Sequence, residues 1–66
     1  MIGVTVNGTE HYFESELTMR GLLAQLGMPE RGIAVAVNGG TLARDHWDEP
    51  VQRGWVIDVL TAVQGG

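Results

Sequence analysis

The first residues of the chain carry the pattern of a β-hairpin. Ile2–Val6 is rich in β-branched residues and alternates weakly between apolar and polar positions, which suits a strand. Asn7-Gly8 follows, and this pair is a strong hairpin signal because both residues tolerate a positive φ. Thr9–Phe13 is therefore predicted to be the return strand.

The next apolar positions have the spacing of an α-helix. Four apolar residues fall at i, i+3, i+4 and i+7 and form one stripe: Met19, Leu22, Leu23 and Leu26. Thr18 is the predicted N-cap, and Gly27 is the predicted end of the helix, with Pro29 soon after it. Gly21 lies inside this helix at a cost of about 1 kcal/mol relative to alanine. Close packing is the only reason for this glycine that the sequence suggests.

The second half of the chain predicts three more strands and a helical turn. Ile33–Val37 is a valine-rich apolar run that is too short for a helix, so we predict a buried central strand. Residues 41–43 fit a brief edge strand. Residues 45–50 fit a single helical turn that Asp45 caps and a proline stops. Residues 55–63 are the predicted last strand.

The two sides of the last strand differ in polarity. Ile57 and Val59 fall on one side, which we assign to the core. Asp58, Leu60 and Ala62 fall on the other side. The charge of Asp58 marks that second side as the solvated one, because a carboxylate is not buried without a partner.

The predicted elements follow the order strand, strand, helix, strand, short strand, strand. A hairpin followed by a crossing helix and a mixed sheet packed on that helix is the β-grasp arrangement of ubiquitin-like proteins. We therefore predict an α+β fold, with a mixed sheet of four to five strands packed on one main α-helix. The predicted domain spans residues 1–63, and residues 64–66 are predicted to form a flexible C-terminal Gly-Gly tail.

Composition narrows the classes of function. A chain of 66 residues without cysteine has room for one small core, with neither a deep substrate cleft nor a disulfide. The net charge is −4 and the four arginines are scattered along the chain, so we expect no nucleic-acid binding. An acidic protein of this kind is expected to dock on a basic surface of its partner. No apolar run approaches the roughly 20 residues of a membrane span, and the N terminus lacks the pattern of a signal peptide. We expect a cytoplasmic protein that binds no membrane.

The sequence ends in Gly65-Gly66, which has the clearest chemical use. Terminal glycines are often merely frayed, but a Gly-Gly end also fits a narrow slot that excludes other residue pairs. Residues 63–66 reach about 13 Å when extended, enough to place the Gly66 carboxylate in another protein's active site. A carboxylate is a poor electrophile, and adenylation by ATP would supply a leaving group. Because the chain has no cysteine, sulfur loaded at Gly66 must come from another molecule.

Other chemistry has little support in the sequence. His11 and His46 are far apart and match no metal-binding spacing, so no metal site is predicted. Ser15 has no histidine and acid at a recognisable spacing, and the carboxylates of residues 45–50 are expected to form a solvated turn. Trp47 is expected to pack on the edge of the core. No catalytic residue is predicted, and the protein is not expected to be an enzyme.

Three motifs carry a resemblance to a known family. They are Ala36-Val37-Asn38, Arg44-Asp45-His46-Trp47 and the final Gly65-Gly66. With these spacings and this length, the chain resembles the ThiS family, the sulfur carrier proteins of thiamine biosynthesis, over essentially its whole length. The resemblance implies a β-grasp fold and a carrier that is not itself an enzyme.

The resemblance also implies a division of labour between several proteins. A ThiF-type adenylating enzyme would activate Gly66 with ATP, so the carrier itself binds no cofactor. A sulfur donor such as a cysteine desulfurase would convert the carboxylate to a thiocarboxylate, and thiazole synthase (ThiG) would take the sulfur. Partners would recognise the tail at Gln64 and Gly65. The expected docking residues lie on the exposed side of the last strand: Val56, Leu60 and Ala62.

Three alternatives stay open. The small subunit of molybdopterin synthase shares the fold and the terminus, but it usually reaches Gly-Gly through a proline-containing stretch, which residues 60–64 lack. A ubiquitin-like protein modifier would be joined to lysines of other proteins. Since this chain has no lysine, it cannot form lysine-linked chains with itself. A pure binding module would leave Gly66 idle.

Overall fold

A mixed sheet of five strands packs against one α-helix in residues 1–61, the part of the chain that the structure describes. The structure is a computed structural model. Helix α1 (Met19–Gln25) follows the first hairpin, and a 3₁₀ helix (Arg44–His46) follows the fourth strand. The strands, in chain order, are β1 (Ile2–Val6), β2 (Thr9–Phe13), β3 (Ile33–Val37), β4 (Gly40–Leu42) and β5 (Val56–Thr61).

The last strand lies in the centre of the sheet, whose order is β2-β1-β5-β3-β4. β5 runs parallel to β1, with Ile57 opposite Val6. It runs antiparallel to β3, with Val59 opposite Val35. The β1–β2 and β3–β4 pairs are antiparallel. This mixed sheet on one helix confirms the predicted α+β, β-grasp fold.

Two Asn-Gly pairs make the tight turns of the sheet. Asn7 (φ 50°) and Gly8 (φ 82°) join β1 to β2, and Asn38 (φ 50°) and Gly39 (φ 87°) join β3 to β4. Positive φ at two successive residues is typical of the type I′ turn, whose twist matches that of the flanking strands. The first hairpin is confirmed, and its two strands have the predicted bounds.

Helix α1 begins at the predicted cap and buries most of the predicted stripe. The Thr18 side chain accepts a hydrogen bond from the Gly21 N–H at 3.0 Å. Gly27 follows the helix with a φ of 73°, as expected for a glycine that ends a helix. Leu26 is the C-cap and is half-buried. Three stripe residues are fully buried: Met19, Leu22 and Leu23.

The core lies between the sheet and α1. Trp47 belongs to it and is only 2% exposed, so this tryptophan is structural and lies deeper than the core edge predicted for it. None of the buried side chains within residues 1–61 is polar or charged. The buried apolar residues are Ile2, Val4, Val6, Met19, Leu22, Leu23, Val35, Trp47, Val51, Ile57 and Val59.

The predicted aspartate cap of the helical turn is wrong. Asp45 lies inside the 3₁₀ helix, and the N-cap is Ala43, which makes no side-chain capping hydrogen bond. The turn is closed by backbone hydrogen bonds instead. The His46 N–H donates to the Ala43 carbonyl at 2.8 Å, and the Trp47 N–H donates to the Arg44 carbonyl at 3.1 Å.

Two strand boundaries differ from the prediction by one residue. β4 lies one residue earlier than the predicted 41–43, because the two-residue turn is complete at Gly39 and Gly40 already pairs with Val37. The last strand was predicted to begin at Trp55, but it begins one residue later, at Val56. The Trp55 side chain is half-buried and packs against the core.

Candidate docking face and C-terminal site

The central strand β5 presents a row of side chains on the side of the sheet away from α1. Val56 and Leu60 are 47% and 64% exposed, and Asp58 between them is also exposed. Ile57 and Val59 point the other way and are buried. The predicted assignment of the two sides is therefore confirmed for the described part of this strand.

Strand β3 lines one side of this row with small side chains. Ala34 is opposite Leu60, and Ala36 is opposite Asp58. Because alanine side chains are short, Val56 and Leu60 stand above a flat surface. A shallow hollow of about 270 Å³ adjoins this end of β5 and is lined by Gly32, Ile33, Ala34, Leu60 and Thr61.

Strands β1 and β2 extend the same surface on the other side. Thr5 is opposite Val56 on β1, and Glu10 on β2 is opposite Thr5. Tyr12 is 63% exposed, and its hydroxyl donates to a Glu10 carboxylate oxygen at 3.5 Å. The surface therefore combines apolar side chains with two carboxylates. We call it the outer sheet face, and it consists of Thr5, Glu10, Tyr12, Ala34, Ala36, Val56, Asp58 and Leu60.

Both Asn-Gly turns hold β5 in place through side-chain and backbone hydrogen bonds. The Val56 N–H donates to Asn38 Oδ1 at 2.9 Å, and the Asn38 N–H donates to the Val56 carbonyl at 2.8 Å. The Val59 N–H donates to Asn7 Oδ1 at 2.8 Å, and the Asn7 N–H donates to the Ile57 carbonyl at 2.9 Å. The Val-Asn motif thus has a structural role. The sequence reasoning missed the matching role of Asn7, for which the repeated Asn-Gly pair was the available signal.

The Arg-x-x-Trp motif packs around the buried Trp47. The indole Nε1–H donates to the Leu42 carbonyl at 3.3 Å, and the Arg44 guanidinium carbon lies 4.5 Å from the ring centroid. The corresponding Arg20 carbon lies 5.7 Å from the centroid, and Arg20 Nε donates to Asp48 at 2.9 Å. These cation–π contacts and hydrogen bonds stabilise the fold. The motif therefore supports the sheet and contributes nothing to the outer sheet face.

His46 is paired with Glu49 next to the 3₁₀ helix. Its Nδ1 lies 2.6 Å from Glu49 Oε2. The hydrogen bond and the charge of Glu49, with a smaller effect of Asp45, raise the pKa of His46 above 6.5. His11 lies on β2. Within residues 1–61, no group of three or more His, Cys, Asp and Glu side chains is placed to hold a metal ion.

Ser15 lies in an open surface hollow and not in a catalytic arrangement. The hollow measures about 380 Å³, and Glu14, Glu16 and Arg53 are among its lining residues. None of the described residues that line it is a histidine, so the hollow does not bring a histidine to Ser15 as a Ser-His arrangement requires. No helix within residues 1–61 is both long enough and apolar enough to cross a membrane.

The predicted C-terminal site lies beyond the described residues. The chain reaches it directly from β5, the central strand that carries Val56 and Leu60 on the outer sheet face. The predicted domain boundary at residue 63 lies in the same undescribed segment. Four predicted site residues fall outside residues 1–61: Ala62, Gln64, Gly65 and Gly66.

A five-stranded mixed sheet that packs on one α-helix and that no other described element covers on its outer face defines, in residues 1–61, a small β-grasp protein of the ubiquitin-like class. The two internal motifs serve this fold, since one fixes the central strand and the other packs behind the sheet. The chain belongs to the ThiS family, whose family model matches residues 4–66.

Two solved structures are similar to this chain over nearly its full length. The crystal structure of a thiamine biosynthesis protein (ThiS) from Geobacter metallireducens has a TM-score of 0.80 and 28% sequence identity, over 98% of this chain and 100% of that chain. The solution structure of a thiamine biosynthesis protein from the same organism has a TM-score of 0.75 and 28% identity, over 98% of this chain and 88% of that chain. No curated protein sequence matches this chain significantly. These similarities confirm the predicted fold and the predicted family.

Proposed function

We propose that this protein is a sulfur carrier of thiamine biosynthesis and that its reacting group is the carboxylate of Gly66. The observation that carries the proposal is family membership, because the ThiS family model matches the chain through Gly65-Gly66. The similar crystal structure is that of a thiamine biosynthesis protein, which supports the same role. The terminal Gly65-Gly66 is the part of the sequence that is suited to carrying sulfur.

Activation of the carboxylate is the first proposed step. A terminal carboxylate has a pKa of about 3.5, so at neutral pH it is an anion that resists nucleophilic attack. Attack by one of its oxygens on the α-phosphate of ATP releases pyrophosphate and gives an acyl adenylate, in which AMP is a good leaving group. We assign this step to a ThiF-type adenylating enzyme, since the carrier sequence has no phosphate-binding loop.

Sulfur enters at the activated acyl carbon. Attack by hydrosulfide expels AMP and leaves the thiocarboxylate. A persulfide donor first gives an acyl disulfide, which a thiol then reduces to the same product. The carrier has no cysteine, so a separate donor such as a cysteine desulfurase is proposed. Thiazole synthase (ThiG) is the proposed acceptor of the thiocarboxylate sulfur.

The domain and the terminus have separate roles in this proposal. Residues 1–63 form the domain that partners hold. Residues 64–66 form the arm that enters a partner's active site, where Gln64 and Gly65 are recognised on the way to Gly66. The carrier supplies the reacting group and no catalytic group, and ATP is bound by the activating enzyme. The absence of cysteine fits a reducing compartment, so we place this chemistry in the cytoplasm.

The outer sheet face is the proposed docking surface for these partners. Val56 and Leu60 are exposed apolar side chains on a flat part of the sheet, and exposed apolar surface of this kind is typical of interaction sites. Ala62 continues the same side of the strand in the sequence. Docking here would place the partner against the strand that precedes the C-terminal residues in the sequence.

Reconstitution with the cognate adenylating enzyme, a sulfur donor and thiazole synthase tests the proposal. The full chain is expected to support thiazole formation, and deletion of Gly66 is expected to abolish it. Ser15→Ala is the control, because this exposed serine is remote in sequence from the terminus and its loss should leave activity unchanged. Thiazole formation that needs no carrier, or that survives deletion of Gly66, would contradict the proposed function.

A further inference from the structure

Asp58 lies in the middle of the exposed apolar part of the outer sheet face. Val56 and Leu60 flank it along β5, two residues away on either side. Ala36 is directly opposite on β3, and Ala34 continues this surface of small side chains. On the β1 side the adjacent residue is Asn7, whose hydrogen bonds go to the backbone of Ile57 and Val59. The Asp58 carboxylate makes no ion pair within residues 1–61.

The charge on the outer sheet face has only one sign. Glu10 is the second carboxylate there, and it lies on β2. The three ion pairs formed within residues 1–61 all lie outside the strands, and none includes Asp58. The arginines all lie outside the strands as well: Arg20, Arg31, Arg44 and Arg53. The face is therefore negative in charge, and the Asp58 carboxylate at its centre lies between the apolar side chains of Val56 and Leu60.

Docking through this face would remove Asp58 from water. An ionised carboxylate buried in an apolar contact without a partner is strongly unfavourable, whereas a close pair with a cation can favour binding. Val56 and Leu60 would exclude water from the centre of the contact, which strengthens both effects. The charge of Asp58 therefore restricts which surfaces can bind here.

We propose that the enzyme that activates the C terminus presents a positively charged side chain, arginine or lysine, to Asp58 at the centre of an otherwise apolar contact. This partner chemistry rests on the proposed function, because it takes docking of the outer sheet face as given. Asp58 then acts as a specificity residue, since a surface with an apolar residue at that point leaves the carboxylate unpaired. The net charge of −4 attracts the same kind of surface at longer range.

Steady-state adenylation by the cognate activating enzyme, followed as ATP–pyrophosphate exchange, tests this pairing. Asp58→Asn keeps the size of the side chain and removes its charge, and it is expected to raise the KM for the carrier at least about tenfold. The kcat is expected to change little, because Asp58 takes no part in the reaction. Asp58→Glu restores the charge and is expected to recover most of the affinity.

Asp45→Asn is the matched control. It also removes the charge of an exposed aspartate, but Asp45 lies in the 3₁₀ helix and outside the outer sheet face. Its KM is expected to equal that of the unchanged protein. Raising the salt concentration gives a second readout, since the KM of the unchanged protein should rise more steeply with ionic strength than that of Asp58→Asn.

The outcomes separate this inference from the proposed function. If the unchanged protein is adenylated and Asp58→Asn has the same KM, the partner makes no charge pair with Asp58, and the proposed pairing is wrong. A lower KM for Asp58→Asn would also contradict it, because removing a carboxylate that docking leaves unpaired improves binding. If the unchanged protein is not adenylated at all, the proposed function fails and the pairing fails with it.

Discussion

Gly21 is the third residue of α1, and its N–H bonds to the capping Thr18 side chain. The close packing that the sequence suggested is absent, since a Cβ here would lie 3.4 Å from Thr18 Oγ1 and 3.9 Å from Leu17 Cβ. These are ordinary contact distances. Gly21→Ala is therefore expected to raise the free energy of unfolding by about 0.5–1 kcal/mol, because alanine loses less backbone entropy in a helix. Urea denaturation should show a higher midpoint with an unchanged slope.

Gly27→Ala is the matched control for this helix. Gly27 has a φ of 73°, in the left-handed region that alanine adopts only with strain. The same added methyl group is expected to lower the free energy of unfolding there by about 1–2 kcal/mol. A Gly21→Ala variant that is less stable than the unchanged protein would contradict this description of α1.

The His46–Glu49 pair makes the stability of the fold depend on pH. Glu49 raises the pKa of His46 in the folded protein above the ordinary histidine value of 6.5. Folding therefore favours the protonated ring. The pair contributes stability that is fully present below the unfolded-state pKa and is lost as the pH rises through the folded-state pKa. An NMR titration of the His46 ring protons is expected to give a midpoint above 6.5.

Glu49→Gln tests the cause of this shift. The variant removes the charge that holds the proton, so the titration midpoint of His46 is expected to fall. Asp45→Asn is expected to lower it less, because the hydrogen bond and charge of Glu49 are the larger causes. An unchanged midpoint in Glu49→Gln would show that the pair does not form in solution.

Strand β5 depends on the asparagine turns beside it. Asn38→Gly keeps the positive φ but removes the Oδ1 that accepts the Val56 N–H, with an expected loss of about 1 kcal/mol in the free energy of unfolding. Asn38→Ala removes the same acceptor and adds strain at this φ, so its loss should exceed that of Asn38→Gly by about 1–2 kcal/mol. Thermal or urea unfolding of the three proteins measures this order. Equal stability of the two variants would contradict the role given to the turn conformation.

Local sequence patterns predict the elements that short-range chemistry determines. Asn7-Gly8 specifies the first hairpin, and Thr18 with Gly27 brackets α1. The 3₁₀ helix is different, because no side chain caps it and burial of Trp47 holds the segment against the core. The predicted cap at Asp45 is wrong for this reason, since tertiary packing and not a local capping hydrogen bond fixes that turn.

At the scale of the whole molecule, the order of the strands is determined by pairing between segments that are distant in the sequence, and local patterns do not predict it. Alternation along the chain predicts which side of β5 is exposed, and the structure agrees. The place of β5 between β1 and β3 has no local signal, because it depends on pairing between distant segments. The outer sheet face, with Ala36 beside Asp58, therefore emerges only from the register of the sheet.

The molecule also separates stability from reactivity. The packing of Arg20 and Arg44 on Trp47 and the asparagine turns maintain the domain, and the proposed chemistry takes place at Gly66, a residue outside the described range 1–61. Substitutions in the domain are therefore expected to act through folding or docking. Changes at the terminus are expected to abolish carrier activity without affecting stability.

An intact-mass spectrum of the protein purified from its own host, grown without thiamine, tests the carrier role most directly. A sulfur carrier is expected to show a fraction that is heavier by the exchange of one oxygen for one sulfur. That fraction should disappear when Gly66 is deleted and should remain in the Ser15→Ala control. A spectrum without the heavier fraction, or a sulfur that persists in the absence of Gly66, would contradict the role proposed for the terminal carboxylate.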